Sequence, residues 1–329
     1  MDHFSSLLNG LGRSFSSRKQ RSPGGNSDQI LRSSGVVHAA GSHNFATGFS
    51  KRGEKGVCQD RFIVWEEFGG QEDTVFCGVF DGHGPWGHYV AKKVRELMPS
   101  FLLTYLQECG ERPYPCNAWE GWYPKACAAI DRELVREQRV DSFHSGTTGL
   151  AIVKQGGVIT VANIGDSRAV VATTSDEGAL VAVQLTVDFK PSLPREAARI
   201  MERRGRVFCM EDEAGVHRVW LPHGDTPGLA VSRAFGDYCL KEYGVISEPE
   251  VRRWNVSGRD RFIVLATDGV WDVMSNEEAV RIAWGAAGAE RGKSARRLVE
   301  GAARGWRQKR RGMAMDDISA VCLFFGEEH

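Results

Sequence analysis

Thr74-Val75-Phe76-Cys77-Gly78-Val79-Phe80, followed at once by Asp81-Gly82-His83-Gly84, is the stretch that orders this chain. The first seven residues form an apolar run that reads as a buried strand. The run stops at an acid, a glycine, a histidine and a second glycine. An acid at the tip of a buried strand is rigidly held and can face a cleft. The glycine beside it lets a backbone carbonyl approach a ligand closely. A histidine two residues on can donate a proton near neutral pH. Taken alone, the four letters are equally well a turn with a solvated Asp. Their weight comes from repetition elsewhere in the chain.

Three more strand ends carry acids. Asp166 follows Val158–Asn163, Asp268 and Asp272 follow Arg261–Thr267, and Asp316 precedes Ile318–Phe325. Asp316 sits at the start of its strand, so an antiparallel neighbour would bring it to the same edge as the others. Carboxylates gathered on one edge repel unless a cation sits among them. An oxygen-only donor set suits Mg²⁺ or Mn²⁺, not zinc. Any single one of these acids reads equally as a turn or cap residue.

Composition sets the outer bounds. The 329 residues allow one large domain or two ordinary ones, and 42% hydrophobic content supports a sizeable core. No apolar run is long enough for a membrane span. The formal net charge is +0, which gives no bulk attraction to nucleic acid. Eight cysteines contain no C-x-x-C, and Cys77, Cys127, Cys209 and Cys322 lie in apolar segments. They read as buried free thiols in a reducing compartment, cytoplasmic or nuclear. No secretory signal is expected.

Residues 1–40, rich in Ser, Gly and Arg, read as a disordered tail, and 41–329 as the folded domain. A first strand falls within Val36–Ser50 and a second at Arg61–Trp65. Apolar spacing predicts a helix from His88 to about Glu108, kinked or split at Pro99, and another over Trp122–Val140 with Ala126, Ile130, Leu134 and Val135 inward. Four strands over residues 149–186 read as an antiparallel meander. Pro194–Arg204 is a short helix with Gly205 just past its end. Residues 188–247 form an excursion carrying functional surface. Ser275 and Glu278 make a capping box, and Ser294–Gln308 is a further amphipathic helix, closed by a basic run, Arg307–Arg311, that reads as a solvated helix end. Segregated helices with antiparallel strands define an α+β layered domain, two sheets faced by helices.

The ordered set of motifs resembles the metal-dependent serine/threonine phosphatases of type 2C, plant members in particular. It comprises Gln59-Asp60, Val79–Gly84, Ser145-Gly146-Thr147-Thr148, Asn163–Arg168, Leu229–Asp237, Ala266–Asp272 and Asp316-Asp317-Ile318-Ser319. The resemblance covers residues 40–327. It implies a central antiparallel β-sandwich flanked by helices on both faces, with two Mg²⁺ or Mn²⁺ ions at one end and a third, weaker ion. It makes Asp81 the bridging metal ligand and Gly82 a carbonyl ligand. Asp268 and Asp316 complete that site, Asp60 holds metal-bound waters, and Asp166 and Asp272 form the weaker site with Asp268. His83 becomes the general acid, and Lys55 stands where many relatives carry a phosphate-binding Arg.

The implied reaction is hydrolysis of phosphoserine or phosphothreonine in protein substrates by a monomer. Three positions depart from the pattern. Gln59 replaces a Glu, Lys55 cannot make Arg's two-pronged contact, and Asp317 replaces an Asn, adding negative charge beside a ligand. A catalytically weak relative that binds phosphoproteins is the competing reading. A metal-dependent nuclease would need a basic groove, which neutral charge without aromatic–basic interleaving argues against.

Overall fold

The computed structural model describes residues 35–38, 45–110, 115–137, 139–213, 215–285, 288–310 and 312–326. The expected tail lies outside these residues, except that 35–38 already form a strand. Along the chain, β1 (Gly35–His38), β2 (Phe45–Lys51), β3 (Arg61–Trp65), β4 (Thr74–Phe80) and the short β5 (Gly82–His83) precede two helices, α1 (Gly87–Cys109) and α2 (Ala118–Arg136). Next come β6 (Gly146–Thr147), β7 (Gly149–Gln155), β8 (Val158–Ile164), β9 (Arg168–Thr174) and β10 (Leu180–Gln184). Helix α3 (Pro194–Glu202), β11 (Arg206–Phe208), β12 (Arg218–Trp220), β13 (Pro227–Leu229), β14 (Phe235–Gly236) and α4 (Tyr238–Lys241) make the excursion. The chain closes with β15 (Glu250–Asn255), β16 (Asp260–Ala266), α5 (Asp268–Trp271), α6 (Asn276–Trp284), α7 (Ser294–Lys309) and β17 (Ile318–Phe324).

Two antiparallel sheets result, ordered β1-β2-β17-β16-β9-β10 and β15-β8-β7-β4-β3. Alternation along β4 explains how they stack. Val75, Cys77 and Val79 point into a core shared with Val171, Ile263, Leu265 and Val321 of the other sheet. Phe76 and Phe80 point the opposite way, onto Val94, Met98 and Ile130 of α1 and α2. On the far side, Val264, Cys322 and Phe324 pack on Val280, Leu298 and Trp306 of α6 and α7. An unbroken apolar run such as β4 is what a strand covered on both faces requires. The layers are helix, sheet, sheet, helix, as the sequence implies.

Several local readings need correction. The first strand is two strands, β1 and β2, paired antiparallel. Helix α1 runs unbroken through Pro99. Helix α2 starts earlier and ends earlier than its spacing suggests, and Val135 is exposed while Ala126, Ile130 and Leu134 are buried. The meander is divided: β7 and β8 pair in one sheet, β9 and β10 in the other, and the chain crosses between them at Gly165–Ser167. Arg204, not Gly205, takes the left-handed backbone conformation after α3. Strand β15 is unforeseen. The capping box is present, with Ser275 Oγ accepting from Glu278 N at 3.1 Å. All eight cysteines are free, with Cys209 only half-buried and Cys239 buried.

Candidate active site

Strand direction gathers the acids. Strands β4 and β8 both flank β7 antiparallel, so Asp81 and Asp166 leave the same end of their sheet. Strand β16 pairs antiparallel with β17, with Ala266 opposite Ala320, so Asp268 and Asp316 stand side by side on the other sheet. A cleft of about 790 Å³ opens at that end and is lined by Asp81, Gly82, His83, Asp166, Asp268, Asp272 and Asp316, together with Lys55 and Gln59. Asp60 lies buried beneath it, one oxygen accepting from Thr267 Oγ1 at 2.9 Å. Every site residue singled out in the sequence is therefore at this one end of the sandwich.

Electrostatics show what the cluster lacks. Burial, then the charges of Asp268, Asp60, Asp316 and Asp166, push Asp81 well above the usual carboxylate range. Burial and Asp166, Asp316 and Asp272 do the same to Asp268. Burial and the neighbouring Asp317 raise Asp60 to about 7. Asp60 Oδ1 and Asp268 Oδ1 are buried with no hydrogen-bond partner. Buried acceptors that repel and lack donors call for positive charge.

The donor set therefore fits hard divalent cations. Its geometry is open: among the described residues, no three His, Cys, Asp or Glu side chains meet as a ready-made cage around one point. Mg²⁺ usually keeps several of its waters and binds through only one or two carboxylates, so an open ring of acids is compatible with it.

Two lysines neutralise the rim. Lys55 Nζ donates to Asp316 Oδ2 at 2.6 Å, and Lys190 Nζ donates to Asp166 Oδ2. Burial works against charge on Lys190, but Asp166, Asp268 and Asp272 outweigh it and raise its pKa. Lys190 has no counterpart among the sequence-derived candidates, because Asp188-Phe189-Lys190-Pro191 lies in a segment with no period.

His83 faces a partner that the sequence reading also left without a role. Its Nε2 lies 2.6 Å from Asp237 Oδ2, and Asp237 arrives from the end of the excursion. Burial disfavours the imidazolium, yet the charge and hydrogen bond of Asp237 prevail and raise its pKa. Gly146 makes the contact possible: a Cβ there would overlap Asp237 Oδ2 and stand 2.6 Å from His83 Nε2. The only signal for Asp237 in the sequence was its place at the end of the Leu229–Asp237 motif.

Asp317 lines the cleft and its charge bears on Asp60, and it also has a structural task. Its Oδ1 accepts from Gly53 N and its Oδ2 from Gln59 N, each at 2.7 Å, so both oxygens clamp the loop that carries Lys55. An Asn, with one acceptor oxygen, could not hold both amides this way. Gln59 Nε2 in turn donates to Gly84 O at 3.0 Å, tying that loop to the His83 turn. Arg310, from the basic run, lines the cleft beside Asp272 instead of merely ending a helix.

A family model described as Protein phosphatase 2C matches residues 47–304. The chain belongs to the protein phosphatase 2C family. It is 55% identical to "Probable protein phosphatase 2C 73" of Arabidopsis thaliana, over 98% of this chain and 95% of that protein. It is 54% identical to "Probable protein phosphatase 2C 48" of Oryza sativa subsp. japonica, over 99% of both. Among solved structures, a serine-threonine phosphatase 2C from Toxoplasma gondii superposes with a TM-score of 0.77 at 29% identity, covering 90% of this chain and 100% of that one. The family is one of serine/threonine protein phosphatases, and the relatives make this a plant-type 2C phosphatase, an enzyme. Among the described residues, no helix is long and apolar enough to cross a membrane.

Proposed function

We propose that this 2C phosphatase hydrolyses phosphoserine and phosphothreonine esters in proteins at the carboxylate end of the sandwich, using two Mg²⁺ or Mn²⁺ ions. Asp81, the Gly82 carbonyl, Asp268 and Asp316 would hold them, with Asp166 and Asp272 offering a weaker additional place. When bound, such ions supply positive charge against the phosphate oxygens and make water acidic enough to attack at neutral pH. The protein's own groups do the rest. Asp60, buried below, accepts hydrogen bonds from water in the cleft. Lys55, on its clamped loop, leaves Asp316 for a phosphate oxygen once Asp316 is engaged elsewhere. His83, held and kept protonated by Asp237, delivers a proton to the departing serine or threonine oxygen, which leaves poorly without one.

The observation that carries this reading is the convergence of carboxylates from both sheets, with unpartnered buried oxygens, beside a histidine–carboxylate pair. The test is phosphate release from a phosphothreonine peptide with Mn²⁺ or Mg²⁺, then with chelator, for wild type and Asp81→Asn. Metal-dependent release that the variant abolishes supports the reading. Folded wild-type protein that releases nothing at any metal concentration overturns it.

A further inference from the structure

Exposed apolar side chains are distributed unevenly on this molecule. Eleven large hydrophobic residues are exposed among the described residues. Val57, Val216 and Met313 line the cleft itself. Trp86, Tyr89 and Phe143 are 40%, 45% and 52% exposed, and Trp86 and Phe143 adjoin Gly84 and His144, which line the cleft beside His83. Single exposed apolar residues are ordinary, but a group of them around one opening marks a surface that is covered during function.

The His83 side is tightly built. Trp86 opens α1 two residues after Gly84, and its ring lies 5.3 Å from that of Tyr89. Phe143 and His144 stack edge to face at 4.8 Å on the loop that precedes β6. The two aromatic pairs are joined: Trp86 N donates to Ser145 Oγ at 2.9 Å. A Cβ on Gly84 would run into the His144 carbonyl oxygen, so the two segments touch. Asp141 Oδ1 accepts from Phe143 N at 3.0 Å and from His144 N at 3.3 Å, which fixes the loop beneath the exposed rings. The patch is preorganised, and its rings are exposed among the described residues.

Chemistry says what would lie there. The oxygen that His83 protonates is the one that stays attached to the substrate, so the substrate's polypeptide must extend from the cleft on the His83 side. We propose that Trp86 and Phe143 form a docking surface for that polypeptide, selecting phosphoproteins with apolar or aromatic side chains next to the phosphorylated residue. This rests on the phosphatase reading above. Rigid aromatic rings give large contact area for little lost freedom and dominate such surfaces.

The experiment compares Trp86→Ala and Phe143→Ala with wild type on three substrates: p-nitrophenyl phosphate and two phosphothreonine peptides, one flanked by Phe and Leu, the other by Gly. Binding of the same fluorescently labelled peptides is measured by anisotropy in parallel. Each variant should raise KM and Kd for the apolar peptide about three- to tenfold, leaving the Gly-flanked peptide and p-nitrophenyl phosphate unchanged. An equal loss on all three substrates, or no change on any, overturns the docking surface. So does a Trp86→Ala variant whose only effect is to turn a dimer into a monomer, since the patch would then be a self-interface. If wild type turns over nothing yet binds the apolar peptide in a Trp86-dependent way, the phosphatase reading fails and the docking surface stands.

Discussion

His83 Nε2 and Asp237 Oδ2 meet at 2.6 Å through a gap that exists only because residue 146 has no side chain. The proton on this imidazole is therefore controlled by a residue far along the chain and by a glycine in between. Asp237→Asn keeps the shape and removes the charge that favours imidazolium. Turnover of a phosphothreonine peptide should fall about 10²-fold. p-Nitrophenyl phosphate, whose leaving group needs no proton, should lose far less. Gly146→Ala should reproduce the pattern with lower thermal stability. Equal losses on both substrates would rule out a proton-delivery role.

Glu196 sets the acid limit of the excursion. Burial disfavours its charge, but hydrogen bonds from Arg199, Arg233 and Ser232 prevail and depress its pKa to about 2. A depressed carboxyl contributes stability that is complete above the unfolded value of ~4.3 and is lost as pH falls through the folded value. The melting temperature of wild type should therefore fall between about pH 4.5 and 2. Glu196→Gln should start about 3 kcal/mol less stable at pH 7, because two guanidinium groups lose their partner, and should show a flatter acid limb. Parallel pH profiles would contradict the assignment.

The carboxylate cluster should oppose folding whenever no cation is present. Asp268→Asn removes one of the repelling charges, so in chelator it should melt a few degrees above wild type. Adding Mn²⁺ should reverse the order, because wild type gains binding free energy that the variant cannot. Calorimetry with and without Mn²⁺ reads both limbs. A variant less stable than wild type in chelator would show that the repulsion is already relieved by protonation or by the lysines.

Lys190 is the cation nearest Asp166. Lys190→Met should lower the melting temperature in chelator, since it leaves a buried carboxylate unpaired, and should tighten Mn²⁺ binding at the Asp166 end by about tenfold. Titration calorimetry on the inactive Asp81→Asn background isolates that end of the cleft. Unchanged affinity would mean that the ammonium and the ion do not compete.

What could be read from the sequence depended on periodicity. Asp81, Asp166, Asp268 and Asp316 are visible because each ends or begins an apolar run, and antiparallel pairing then dictates a shared edge. Asp237 and Lys190 lie in 188–247, where short elements follow one another too fast for any period to register. Strand β15 escapes the sequence for a different reason. Glu250-Val251-Arg252-Arg253-Trp254-Asn255 is an edge strand with no fully buried residue, where only Val251 and Trp254 lean on the core, so the apolar signal is too thin to mark a strand. The division of the meander is a tertiary choice, since β9 finds its partner in β16 and nothing local announces it.

The place of β17 in its sheet bears on how the protein is made. Strand β17, the last among the described residues, lies between β2, 267 residues earlier at its nearest, and β16. Strands β1 and β2 cannot join β16 in that sheet until β17 has left the ribosome, and Asp316 arrives with the same segment. A nascent chain can bury β4 and present Asp81 long before it owns a complete carboxylate edge. Removal of Asp316–Phe324 should therefore leave a molecule that lacks both a closed sandwich and a working cleft, so that phosphatase activity requires this segment.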